Sequence, residues 1–193
     1  ELIHASVGEL QHSLQGRGGG LGVRYGAARD EIVQLAKTFQ ADAVFFNHDD
    51  DPVALARDDA VEAALKRLKI AVHHYKDAVI FEREEVLTAG KTPFSVFTPY
   101  KNTWLKALTP FYLRAYPVDA YAERLAPQST PLPRLQDMGF APTNLRELKL
   151  LTGMSGGARL FEDFLQRIDC YQEARDFPAV KGPSYLSAHL RFG

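Results

Sequence analysis

Ala43-Val-Phe-Phe-Asn47-His-Asp-Asp-Asp51-Pro52 decides how the first half of this 193-residue chain is read. A short, continuous apolar run ending in a polar turn is what a strand buried on both faces of a parallel sheet requires. Asp51 then supplies an N-cap and Pro52 a first-turn proline, so the spacing predicts a helix immediately after the strand. Along that helix Ala56, Ala60, Val61, Ala64, Leu65 and Leu68 line one side, while Glu62 and Lys66 pair at i,i+4 on another. Ile70-Ala-Val-His-His-Tyr75 reads as the next strand. Working upstream, Asp30 is placed to cap a helix with the apolar stripe Ile32, Val33, Leu35, Ala36 and Phe39. Leu21-Gly-Val-Arg-Tyr25 reads as a short strand before it. Ser6-Val-Gly-Glu9 has capping-box spacing for a helix that Gly16 and Gly18-Gly-Gly20 stop. The order αβαβαβ calls for an α/β fold with a doubly wound parallel sheet and right-handed crossovers. Three strands are few for such a sheet, and the chain opens on a helix. The expectation is therefore an incomplete domain whose first strand lies upstream.

The alternation ends near Asp77. Phe97-Thr-Pro-Tyr100 reads as a helix entry with Thr98 as cap, followed by Trp104, Leu105 and Leu108. Residues 109–142 carry Pro110, Pro117, Pro127, Pro131, Pro133 and Pro142 with little periodicity, which suits an interdomain linker. Thr143 is placed to cap a short helix with Leu145, Leu148 and Leu151. Ser155-Gly-Gly157 opens another, with Leu160, Phe161, Phe164, Leu165, Ile168 and Tyr171 on one face. The expected organisation is an α/β domain over 1–108, a linker over 109–154, and the start of an all-α domain over 155–193.

Composition excludes several classes. Hydrophobic residues at 46% and charged residues at 24% are those of an ordinary globular chain, not a disordered or fibrous one. Cys170 is the single cysteine, so the chain has no intrachain disulfide or thiolate metal cluster, which points to a reducing, cytoplasmic setting. No apolar run reaches the roughly 20 residues that span a bilayer, so no membrane association is expected. Glu1-Leu-Ile-His4 does not read as a basic leader, and the chain starts as though cut from something longer. The formal net charge of −1 conceals a polarity. Residues 1–63 hold 11 acids and 5 bases, whereas residues 64–193 hold 13 acids and 18 bases, so any polyanion-binding surface is expected in the second part.

Few residues carry chemistry on their own. Asn47-His-Asp-Asp-Asp51 sits at the carboxyl end of a strand, where open α/β sheets bind ligands. Its His and three carboxylates could hold a divalent cation, or form a solvated turn and helix cap. His73 and His74 lie on a strand, so they face opposite ways and share no ligand. Gly16-Arg-Gly-Gly-Gly20 precedes a strand rather than opening a helix, which excludes a dinucleotide fingerprint. Gly182-Pro-Ser-Tyr-Leu-Ser187 offers backbone N–H groups, except at Pro183, and two hydroxyls, a donor set that suits a phosphate as well as an ordinary loop. Arg175 follows Tyr171 by one turn and is placed to pair with a phosphate, with Glu173 or with Asp176. Tyr171 on an apolar face also fits a core position.

Tyr171-(x)3-Arg175-Asp-Phe-Pro, then Gly182-x-Ser-x-Leu-Ser and Leu190-Arg-Phe-Gly193, resembles the start of the flavin-binding domain of the DNA photolyase and cryptochrome family. Ala56-Arg-Asp58, Lys76-Asp-x-Val-Ile-Phe-Glu82 and Phe97-Thr-Pro-Tyr-Lys-Asn-x-Trp104-Leu resemble its antenna domain and linker. The ordered set covers almost the whole chain and looks most like bacterial class I enzymes that repair cyclobutane pyrimidine dimers. The resemblance implies that 1–108 is an antenna domain and 155–193 the beginning of a helical domain for flavin adenine dinucleotide (FAD). It implies that Tyr171 contacts FAD, that Pro183, Ser184, Tyr185, Leu186 and Ser187 wrap its phosphates, and that Arg175 contacts the DNA backbone beside a flipped dimer. Light-excited reduced flavin would donate an electron to the dimer, the ring would split, and the electron would return. The implied partner is damaged DNA containing pyrimidine dimers, with no obligate protein partner. Two departures matter. Pro183 stands where the family usually has Thr, and Val53-Ala54 stand where folate-binding members carry Asn-Glu. The second speaks against folate and leaves an antenna chromophore of unspecified type open: a deazaflavin, another flavin or none. The catalytic residues of the family lie beyond Gly193. A cryptochrome-type light sensor and a nucleotide-binding α/β module without catalysis are the alternatives.

Overall fold

A computed structural model describes residues 1–76, 79–145 and 147–192. Asp77 of the Lys76–Glu82 motif, Arg146 and Gly193 of the closing motif lie outside the described residues. The chain forms two compact units, Arg24–Tyr116 and a second that joins Glu1–Val23 to Pro117–Gly193.

The Arg24–Tyr116 unit is a βαβ motif with a leading helix. Helix α2 (Ala28–Thr38) precedes strand β1 (Ala43–Asn47). Helix α3 (Pro52–Arg67) then crosses to strand β2 (Ala71–Tyr75), which pairs with β1 in parallel, Ala43 opposite Ala71 and Asn47 opposite Tyr75. Asp51 caps α3 as its sequence demands: Oδ1 accepts from Val53 N at 2.8 Å and Ala54 N at 3.4 Å. The Glu62–Lys66 pair closes at 2.6 Å. The core sits where α2 and α3 meet one face of the sheet: Ala36, Val61 and Leu65 are buried against Ile32, Val33, Val44, Phe46 and Val72. Val61 and Leu65 are 1% and 0% exposed, and side chains of this kind each contribute about 1.5–3 kcal/mol by burial.

The other sheet face differs from the expected burial on both sides. Phe45 is 61% exposed and Tyr75 55% exposed, and the Phe45 ring stacks on both His73 and Tyr75. The two histidines do separate across the sheet, His73 stacking on Phe45 and His74 packing edge-on to Phe46. Helix α4 (Phe97–Ala107) starts one residue before Thr98, with Val96 in the capping position.

In the other unit, α1 (Leu2–Gly16) begins well ahead of Ser6. The capping box is not formed, because the Ser6 hydroxyl donates to Leu2 O and Glu9 serves another helix. The glycines end α1 as expected, with Gly19 N donating to Leu14 O and Gly18 at φ 83°. No strand forms at 21–25. Gly20 instead passes so near the Gln128 backbone that a Cβ there would collide with its carbonyl oxygen. This close approach draws the segment toward 125–128, and five residues without a ladder do not make a strand.

Residues 110–142 are irregular apart from two 3-10 turns, Pro110–Leu113 and Val118–Arg124. The described residues of 143–151 make turns rather than a helix, with Leu145 N donating to Thr143 Oγ1. Helix α5 (Gly153–Leu165) starts two residues before Ser155 and packs on α1. It does not run on to Tyr171; a 3-10 turn at Ile168–Cys170 leads into the separate one-turn helix α6 (Tyr171–Ala174), and α7 (Ser187–Phe192) follows.

Candidate functional site

The Asn47–Asp51 turn does not gather its acids around one point. His48 Nδ1 lies 3.0 Å from Glu82, Asp50 pairs with Arg83 at 3.0 Å, Asp49 accepts from Asp51 N, and Asp51 caps α3. Among the described residues no three His, Cys, Asp or Glu side chains are grouped to hold a metal ion. The solvated turn and cap therefore account for this segment. Ala54, one of the positions tied to folate, is buried within the α3 packing.

Tyr171, Arg175 and the 182–187 loop do come together. Tyr171 meets Phe164 edge-on, ring centroids 5.8 Å apart, and the Arg175 guanidinium lies 5.8 Å over the Tyr171 ring. Arg175 also stands 3.7 Å from Asp176, an open contact at a half-exposed side chain. Gly182 is pressed against the end of α6: a Cβ there would lie 2.6 Å from Ala174 C and 2.9 Å from Arg175 N. Only glycine lets the loop pass this close, and Gly182 N donates to Val180 O at 2.8 Å. Ser184 Oγ accepts from Leu186 N at 3.4 Å, and Ser187 opens α7. Tyr185 adopts φ 59°, a left-handed backbone that bulky residues rarely take and that clusters at ligand-holding loops.

Arg167 organises this loop and is absent from the sequence-level assignment. Its Nη1 donates to both Gly182 O and Pro183 O at 2.8 Å, and its Nη2 to Asp163 at 2.8 Å. Lys181 reaches the other Asp163 oxygen at 2.7 Å. Hydrogen bonds from Lys181 and then Arg167 hold the Asp163 carboxyl below its ordinary pKa. The available signal was the i,i+4 spacing of Asp163 and Arg167, which is also that of any solvated helix pair. Beside the loop, Gly153, Met154, Phe161, Leu186, His189 and Leu190 border a cavity of about 430 Å³. Both His189 ring nitrogens are buried without a hydrogen-bond partner among the described residues.

The sequence pattern of the DNA photolyase family matches residues 1–122. The chain belongs to the DNA photolyase family. A deoxyribodipyrimidine photo-lyase of Synechococcus sp. (strain PCC 6301) is 31% identical over 198 residues, 99% of this chain and 40% of its own length. An uncharacterized 31.6 kDa protein of Synechococcus sp. (strain PCC 6716) is 34% identical over 95% of this chain and 64% of its own length. The crystal structure of a bacterial class III photolyase from Agrobacterium tumefaciens superimposes with a TM-score of 0.81 at 27% identity, covering 98% of this chain and 40% of that one. The chain thus spans about two-fifths of the length of the photolyases it resembles. Its α/β fold with a small parallel sheet is that of their corresponding part. Both photolyase matches run past the family pattern and include 171–187.

The loop residues fit the FAD phosphates that the family resemblance implies. Ser184 and Ser187 provide hydroxyls, and the chain beyond Pro183 carries backbone N–H groups. Pro183 offers no N–H, and its carbonyl is taken by Arg167.

Proposed function

We propose that this chain is part of a deoxyribodipyrimidine photolyase, a light-driven enzyme that splits cyclobutane pyrimidine dimers in DNA with FAD. The observation that carries the reading is the 182–187 loop, pinned by Arg167 and packed at Gly182 against the end of the helix that carries Tyr171, in a chain of this family. Reduced FAD, when bound, supplies the photo-excited electron that opens the dimer. The residues of this chain bind and orient. Ser184 and Ser187 would donate to the phosphates, and Tyr171 would contact the cofactor. Arg175, whose contact to Asp176 is open, turns to a DNA phosphate beside the extruded dimer; damaged pairs cost less to unstack than intact ones. Val53-Ala54 speak against a folate antenna and leave a deazaflavin, another flavin or no antenna chromophore open.

The test is the absorption spectrum of the protein that carries this chain together with its remaining flavin-domain sequence. A flavin spectrum is expected, and combined Ser184→Ala and Ser187→Ala substitution lowers bound flavin per chain by about tenfold, the scale of one to two hydrogen bonds. Unchanged occupancy contradicts the loop assignment. Flavin without dimer loss under blue light identifies a cryptochrome-type sensor instead.

A further inference from the structure

We infer that Arg167 is the positioning residue of the flavin-phosphate loop, fixing the direction in which the loop presents its N–H donors. The inference rests on the reading of 182–187 as that loop. Nη1 holds the carbonyls of Gly182 and Pro183 together, both at 2.8 Å. No cis peptide bond occurs among the described residues. In a planar trans peptide the C=O and the following N–H point opposite ways. Drawing Pro183 O onto the guanidinium therefore aims the Ser184 N–H away from it, outward from the loop.

Three further contacts stop the guanidinium from turning. Asp163 receives Nη2 at 2.8 Å and is itself held by Lys181, the residue directly before Gly182. Arg167 Cζ lies 5.3 Å from the Phe164 ring centroid and 5.8 Å from that of Tyr185. The Tyr185 contact places an attractive interaction on the residue whose backbone is strained at φ 59°. The side chain is 18% exposed, so these contacts are shielded from competing water. A planar fork that donates in two directions while stacking on rings is specific to arginine; lysine supplies a single point charge.

Arg167→Met keeps the apolar stem and removes every donor, and Arg167→Lys keeps the charge and removes the fork. Backbone ¹⁵N relaxation of the 193-residue chain reads the loop directly. In the methionine variant the order parameters of Ser184 and Leu186 are expected to fall from about 0.85 to below about 0.6, while those of Leu160 and Phe161 in α5 stay unchanged. The lysine variant loosens the same amides and keeps the helices, so it carries the test if the methionine variant fails to fold. In the protein extended through its flavin domain, either variant retains FAD about tenfold more weakly, and added ADP does not restore loop order. Loop order equal to wild type in the lysine variant overturns the inference. A wild-type protein that binds no FAD, while the variants loosen the loop, overturns the flavin reading instead. The two failures are read by separate measurements.

Discussion

Arg175 is held weakly at both ends: a ring 5.8 Å below its guanidinium and a carboxylate 3.7 Å away, with about half of the side chain in water. Exposed contacts of this kind contribute little to stability, so the residue is free to exchange Asp176 for a phosphate. Arg175→Ala is therefore expected to leave the fold intact and to weaken binding to dimer-containing DNA. It should also reduce the slope of log affinity against log salt by about one unit. Equal salt slopes for variant and wild type in a filter-binding titration would remove Arg175 from the DNA surface. At this scale the family resemblance singled out Tyr171, Arg175, Ser184 and Ser187; the Arg175 guanidinium lies over the Tyr171 ring, and Gly182 packs on the backbone at Ala174 and Arg175. Arg167 was not legible, because its partners are backbone carbonyls fifteen and sixteen residues ahead, which no periodicity marks. Nor was the left-handed Tyr185, since nothing in its side chain asks for a positive φ.

Helices show where local pattern and tertiary contact part company. The cap and i,i+4 pair of α3 could be read because both ends of each interaction lie within a few residues. Ser6-x-x-Glu9 has the same kind of spacing, yet the Glu9 carboxylate accepts from Ser155 N at 2.8 Å and Ser155 Oγ at 2.7 Å, at the start of α5. Gly153 makes room for it, with φ 78° and no Cβ to meet the carboxylate. A negative group near a helix N-terminus is favoured, so the tertiary contact wins over the local box. The strand expected at 21–25 failed for a related reason: alternation specifies a strand only where a neighbour supplies the ladder.

The Ser155 side-chain and backbone hydrogen bonds hold the Glu9 carboxyl below its ordinary value of 4.5. A carboxylate lowered in the folded state adds stability that is complete above the unfolded value and is lost as pH falls through the folded one. Glu9→Gln is thus expected to cost about 1 kcal/mol at neutral pH. That difference from wild type should shrink in urea unfolding as pH drops below about 4.5. A difference independent of pH would show that the charge of Glu9 does not hold α5.

For the whole molecule, the chain spans about two-fifths of the length of the photolyases it matches, and the activity is proposed of a protein that includes a flavin domain. The α/β class was legible because a βαβ unit writes its strands as apolar runs and its crossover as a capped amphipathic helix. The attachment of α1 to α5 was not, since it depends on contacts nearly 150 residues apart. The basic excess of residues 64–193 also belongs to this scale, and it is the sign a DNA-facing surface requires. The most direct measurement is the count of cyclobutane dimers in irradiated DNA, before and after blue light, with the protein carrying this chain through its flavin domain. The account predicts dimer loss only in light and only with flavin bound, and none with the 193-residue chain alone. Undiminished dimers with flavin bound, or repair by the isolated chain, would contradict it.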